Sequence, residues 1–197
     1  MIQEDQLLQQ FVERALAEDV GDGDHTSNAC IPAEAVTTAE LLVKDTGVIA
    51  GVEVARKIFQ QVDSDADLTV HIPDGKDVTY GDIVFTIRCG ARALLMAERL
   101  VLNVMQRMSG IATMSSRFAV EVEDLEVQIL DTRKTTPLLR FLEQQAVRIG
   151  GCHNYRSGLY DWIMIKDNHI DACGGIEQAI DRVHAYLREK GLQLGIT

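Results

Sequence analysis

The chain has 197 residues, a formal net charge of −11, and 25% charged against 46% hydrophobic residues. That is ordinary for a globular protein, with enough chain for one large domain or two small ones. The acidic balance argues against nucleic acid or an anionic membrane surface as a partner. No apolar run is long enough to span a bilayer, and Met1 to Asp5 lack the basic start of a signal peptide. Cysteines 30, 89, 152 and 173 share no close spacing. Neither a zinc site nor a disulfide framework is suggested, and they read as reduced thiols in a cytoplasmic protein.

Residues 2–18 carry Leu7, Leu8, Phe11, Val12, Ala15 and Leu16 at the helical period, which predicts an amphipathic helix. The acidic stretch 18–26 ends it. Its spacing does not match a calcium loop, so a helix stop leading into an ordered turn is expected. Val36 to Val43 and Gly47 to Gly51 read as strands, Val52 to Gln61 as a short helix, Leu68 to Ile72 as a strand closed by the turn Pro73-Asp-Gly-Lys, and Ile83 to Arg88 as another strand. Irregular mixing of this kind favours an α+β layer over a doubly wound sheet. Ala91 to about Val122 is a long helical pattern with an expected break at Ser109-Gly110. It reads as buried on most sides, so its embedded charges, Arg99 among them, need partners.

After Glu126 the pattern changes. A strand over 127–130 is followed by Asp131-Thr-Arg-Lys-Thr-Thr-Pro-Leu-Leu-Arg140, with Pro137 expected to open a helix that runs to Ile149. A strand from Trp162 to Ile165 ends in Lys166-Asp-Asn-His169, a helix follows over 176–189, and Leu192 to Ile196 reads as a further strand. This alternation is the signature of a parallel sheet with right-handed crossovers. The clusters 131–134 and 166–169 then lie just past the carboxyl ends of successive strands, on one rim, where α/β folds put their ligands. Between Asp131 and Ile170 there are six Arg or Lys against four acids, a local +2 in a chain whose remainder is −13. A cationic patch on an acidic protein points to a small anionic ligand, with Arg giving a bidentate fork and Lys a point charge. A solvated loop is the bland alternative for either cluster taken alone.

Four ordered motifs make the sequence recognisable: Asp131-Thr-Arg-Lys-Thr, Ala146-Val-Arg-Ile-Gly-Gly151, Asn154-Tyr-Arg156 and Ile165-Lys-Asp-Asn-His-Ile170. With Glu98-Arg99, Ser109-Gly-Ile-Ala-Thr113 and the early loop from Glu18 to Asp24, they resemble the quinolinate phosphoribosyltransferase family over essentially the whole chain. The resemblance implies an α/β fold class: an N-terminal α+β sandwich domain with an interdomain helix over 1–109, then the first part of an incomplete β/α barrel over 110–197. It implies phosphoribosyl transfer from phosphoribosyl pyrophosphate to quinolinate with decarboxylation, magnesium as cofactor, and a homodimer. By matching position, Arg133, Lys134, Arg156 and Lys166 would bind substrate, with Lys134 and Lys166 nearest the chemistry. Tyr155, Asn168 and His169 would line or support the site, and Arg99 would reach into the neighbouring subunit.

Two departures stand out. The family usually has His at Tyr155, and a phenol donates a hydrogen bond but carries no positive charge at neutral pH. The chain also stops at Thr197, whereas a β/α barrel of this kind needs roughly 200 residues or more. It reads as a fragment, with the acids expected to bind magnesium and ribose lying beyond it. A nicotinate phosphoribosyltransferase without decarboxylation is the competing enzyme. An inactive anion-binding or dimerisation module is the competing reading of the literal fragment.

Overall fold

The computed structural model describes residues 4–197, a mixed α/β chain in two compact units. The first unit takes in residues up to Asp131 together with Thr135–Asn154, and the second Thr132–Lys134 with Tyr155–Thr197.

In the first unit the opening helix, α1, is Glu4–Val20, with Leu8 and Val12 buried; residues 2 and 3 of the expected helix lie outside the described residues. The acidic stretch does more than stop it. Asp24 caps a second helix, α2 (His25–Cys30), by accepting from the Ser27 N–H at 3.0 Å. The chain then builds β1 (Val36–Leu42), β2 (Gly47–Val48), α3 (Val52–Val62), β3 (Asp67–Val70), β4 (Asp77–Val78) and β5 (Ile83–Gly90). Strands β1, β5 and β3 form an antiparallel sheet in that order, while β2 and β4 pair separately. The expected strand over 47–51 is therefore only two residues long. Beyond it Gly51, at φ +100°, turns the chain into α3, and Asp74 of the predicted turn accepts from the Val52 N–H at 2.9 Å.

Helix α4 spans Ala91–Val120 without the break expected at Ser109-Gly110. Ser109 faces the 47–51 segment instead: its hydroxyl accepts from the Ala50 N–H at 2.9 Å and donates to the Ala50 carbonyl at 3.2 Å. Thr113, one turn on, accepts from the Val48 N–H at 2.9 Å. Small polar residues here let a short strand dock on the helix and satisfy the backbone groups that a two-stranded sheet leaves open. The helix is also less buried than expected. Ala97, Val101, Val104, Met105, Met108, Ala112 and Ser115 make one buried stripe, while Glu98, Arg99 and Asn103 are exposed.

Helix α5 is Arg140–Ile149, starting three residues after Pro137 rather than at it. The reason is Leu138, whose φ of 69° is left-handed and incompatible with a helical turn. Parallel pairing is present in this half, but as isolated bridges rather than regular strands: Leu130 with His153 in the first unit, Ile163 with Ile196 in the second. The partner of the 127–130 segment is thus the stretch around His153, which the sequence pattern did not single out as a strand. Hydrogen bonds from Asp131 N to His153 O (3.0 Å) and from Thr197 N to Ile163 O (2.9 Å) extend the two pairings. The second unit also holds α6 (Asp167–Cys173) and α7 (Ile176–Lys190).

Candidate active site

The second unit gathers Arg133, Lys134, Tyr155, Arg156, Lys166, Asn168 and His169 into one compact body, although 35 positions separate the first from the last of them in Ile165-Lys-Asp-Asn-His and Thr132-Arg-Lys. Arg156 is the buried member, at 8% exposure. Its guanidinium donates to the Trp162 carbonyl at 3.4 Å and points another nitrogen at Met164 Sδ, 3.6 Å away. The loop after it is shaped by Asp161, whose carboxylate accepts from the N–H groups of Ser157 (2.7 Å) and Gly158 (3.1 Å). Burial would raise the Asp161 pKa, but these donors and the nearby Arg156 charge outweigh it and hold the carboxyl below its usual range.

Lys166 precedes α6 and is exposed. Its backbone is fixed. The Lys166 N–H donates to His169 Nδ1 at 2.9 Å, and the Lys166 carbonyl accepts from His169 N at 2.8 Å. His169 thereby acts on the lysine's main chain, and Asn168 between them is exposed. Tyr155, which stands where a histidine was expected, donates to Thr197 Oγ1 at 2.9 Å and lies against Trp162 with ring centroids 5.6 Å apart. Lys134 is exposed and Arg133 half-buried, in a turn where the Lys134 N–H donates to Thr132 Oγ1 at 3.2 Å.

Arg99 belongs to the first unit. It lies on the wall of a cavity of about 600 Å³ with Arg14, Asn103 and Arg107, over an apolar floor that includes Phe11 and Phe141. Among the described residues Arg99 forms no ion pair with Glu98.

Sequence reasoning missed the supports that flank residues 132–134, all within the first unit. On one side Asn154 Nδ2 donates to Asp131 Oδ2 at 2.7 Å and to the Gln144 carbonyl at 2.9 Å. On the other, Arg140 Nε donates to Thr135 Oγ1 at 3.0 Å, and Glu143 accepts from the Thr136 N–H. The available signal was a glutamate on the apolar face of α5, beside Leu142 and Ala146.

An α+β layer followed by parallel-paired segments defines an α/β protein, and its second unit carries Arg133, Lys134, Arg156 and Lys166. Comparison with known proteins narrows the class. Residues 24–109 match the family model for the N-terminal domain of quinolinate phosphoribosyl transferase, and residues 111–195 that for its C-terminal domain. Quinolinate phosphoribosyltransferase (decarboxylating) 1b of Nicotiana tabacum is 43% identical over 190 residues, which are 96% of this chain and 54% of that protein. The crystal structure of NadC from Streptococcus pyogenes superimposes with a TM-score of 0.88 at 38% identity, covering 94% of this chain and 66% of that one. Nicotinate-nucleotide pyrophosphorylase from Ehrlichia chaffeensis gives 0.86 at 36% identity, covering 95% and 68%. The chain belongs to the quinolinate phosphoribosyltransferase family. It spans about half the length of the curated relatives it matches.

Proposed function

We propose that the protein carrying this sequence transfers the phosphoribosyl group of phosphoribosyl pyrophosphate to the ring nitrogen of quinolinate. Pyrophosphate leaves, one quinolinate carboxylate departs as CO2, and nicotinate mononucleotide is the product, a step of de novo NAD biosynthesis. The observation that carries the reading is the gathering of Arg133, Lys134, Arg156 and Lys166 in a single compact unit. Quinolinate brings two carboxylates and the co-substrate several phosphate charges, and converging Arg and Lys answer both. Arg133 and Arg156 suit bidentate carboxylate or phosphate contacts that orient the ring nitrogen. Lys134 and Lys166 supply mobile charge where the leaving group becomes more negative. His169 and Asn168 support the Lys166 turn, and Tyr155 offers a neutral hydrogen bond in place of an imidazolium.

Magnesium enters this reading with the pyrophosphate-bearing substrate. Among the described residues no group of three His, Cys, Asp or Glu side chains could hold a metal ion, so no step is assigned to it here. No helix among the described residues is long and apolar enough to cross a membrane. The four cysteines are free, which suits a cytoplasmic enzyme.

The direct experiment follows carboxyl-labelled quinolinate. Released CO2 and nicotinate mononucleotide are expected, whereas turnover of nicotinate but not quinolinate would refute the assignment. Arg99, exposed on its own cavity wall, is proposed to complete the site of a second copy in a homodimer. Arg99→Ala and Lys166→Ala should each lower turnover at least tenfold, yet their mixed dimers should recover activity at the one intact site. No recovery, with mixed dimers verified by mass, would place Arg99 in its own subunit's site or outside any site.

A further inference from the structure

We infer that Glu143 is a positioning residue for the Arg133-Lys134 loop, acting through Thr136; the inference rests on the quinolinate-binding reading above. Glu143 lies on α5 at 7% exposure, and its carboxylate is engaged on two sides. Arg107 of α4 donates to it from Nε at 2.8 Å, and the Thr136 N–H donates to both of its oxygens at 3.3 Å. The same Arg107 guanidinium closes the triangle by donating to Thr136 Oγ1. Main chain and side chain of one loop residue are thus both held by one ion pair, whose glutamate is buried and whose arginine is exposed.

The placement of that residue gives the triangle its meaning. Thr136 is the second residue after Lys134, and the residue before the tripeptide 132–134, Asp131, is tied in turn by Asn154. A four-residue stretch, 132–135, whose flanks are both pinned has few conformations left for the two cations within it. Cations whose position is set before the ligand arrives lose less freedom on binding it, which is where preorganisation acts. A charge at 143 is needed for this rather than a mere shape. A carboxylate accepts from Arg107 and from a backbone N–H at once, and both contacts are strengthened by its charge. A helix glutamate whose role was only to fill space would need neither donor. Nor would it sit on the face that carries Leu142 and Ala146.

The test is quinolinate affinity by titration calorimetry, with unfolding temperature measured in parallel. Ser109→Ala serves as the structural control: it removes a hydroxyl that bonds both Ala50 backbone groups, far in sequence from the loop, and is expected to lower stability alone. Glu143→Ala should raise the quinolinate Kd at least tenfold, with the Ser109→Ala Kd within twofold of wild type. Glu143→Gln, which keeps the volume and one acceptor oxygen, should fall between wild type and Glu143→Ala. Should Glu143→Ala fail to fold, Glu143→Gln decides, and a Kd within twofold of wild type overturns the inference. It is equally overturned if Kd tracks the loss of unfolding temperature across all variants, Ser109→Ala included. A wild-type protein that does not bind quinolinate at all would instead sink the functional reading, and this inference with it.

Discussion

Leu138 combines two unfavourable features: a left-handed backbone, φ 69°, and a side chain left 83% exposed. The left-handed region costs a non-glycine residue about 1–2 kcal/mol. Glycine would remove that cost, offset by about 0.4–1 kcal/mol from a freer unfolded chain. Leu138→Gly is therefore expected to stabilise the protein by about 0.5 kcal/mol, read as a shift of the urea midpoint at constant m-value. A lower midpoint would mean that Leu138's apolar contacts at the cavity outweigh its strain. Asp161 carries a pH signature. Its folded pKa is depressed, so its contribution is present above the usual carboxylate range and is lost as pH falls through the folded value. Asp161→Asn should be less stable than wild type above about pH 4 and should converge with it in stronger acid. Urea midpoints measured between neutral and strongly acidic pH would show this; a gap that does not narrow on acidification would exclude the carboxylate as its source.

Helices α4 and α5 of the first unit meet without room to spare. A Cβ on Gly150, just past the end of α5, would collide with the Ala112 carbonyl and lie 2.6 Å from Ser115 Cβ. Gly150→Ala should therefore destabilise by about 1–3 kcal/mol, the usual cost of overpacking, and chemical denaturation would measure it. Unchanged stability would mean that α4 and α5 shift apart freely. The same contact shows why some elements were legible in the sequence and others were not. Helices α1, α3, α4 and α7 carry period-3.6 apolar stripes, and a stripe needs no tertiary information. The continuity of α4 through Ser109-Gly110 does need it, because the docked 47–51 segment decides what those small residues are for. Pro137 misled for a similar reason: a helix start requires that the next residues take helical angles, and Leu138 does not. The pairing segment around His153 has too few residues to show a period at all.

At the scale of the molecule, the motifs around 131–134 and 166–169 were legible because charge is dense there and each follows an apolar run. Their supports were not, since Arg107 lies 36 positions from Glu143 and 29 from Thr136, and only folding brings it to them. The first unit also ignores the point at which the sequence divides into two family segments, after residue 109. It recruits Thr135–Asn154, whose helix α5 packs on α4. A chain ending at Asn154 should accordingly unfold at a higher temperature and more cooperatively than one ending at Gly110, a comparison for calorimetry. Equal transitions would make α5 a passenger.

That recruitment also sets an order of events during synthesis. Helix α4, which ends at Val120, is complete in sequence before α5, which ends at Ile149, so the 29 residues 121–149 must be added first. At ribosomal speeds of about 5–20 residues per second, the exposed stripe of α4 waits for several seconds, longer if the exit tunnel delays α5. For that interval the face of α4 that α5 will cover is open to the surroundings. The nascent chain is then open to chaperones and to other copies of itself.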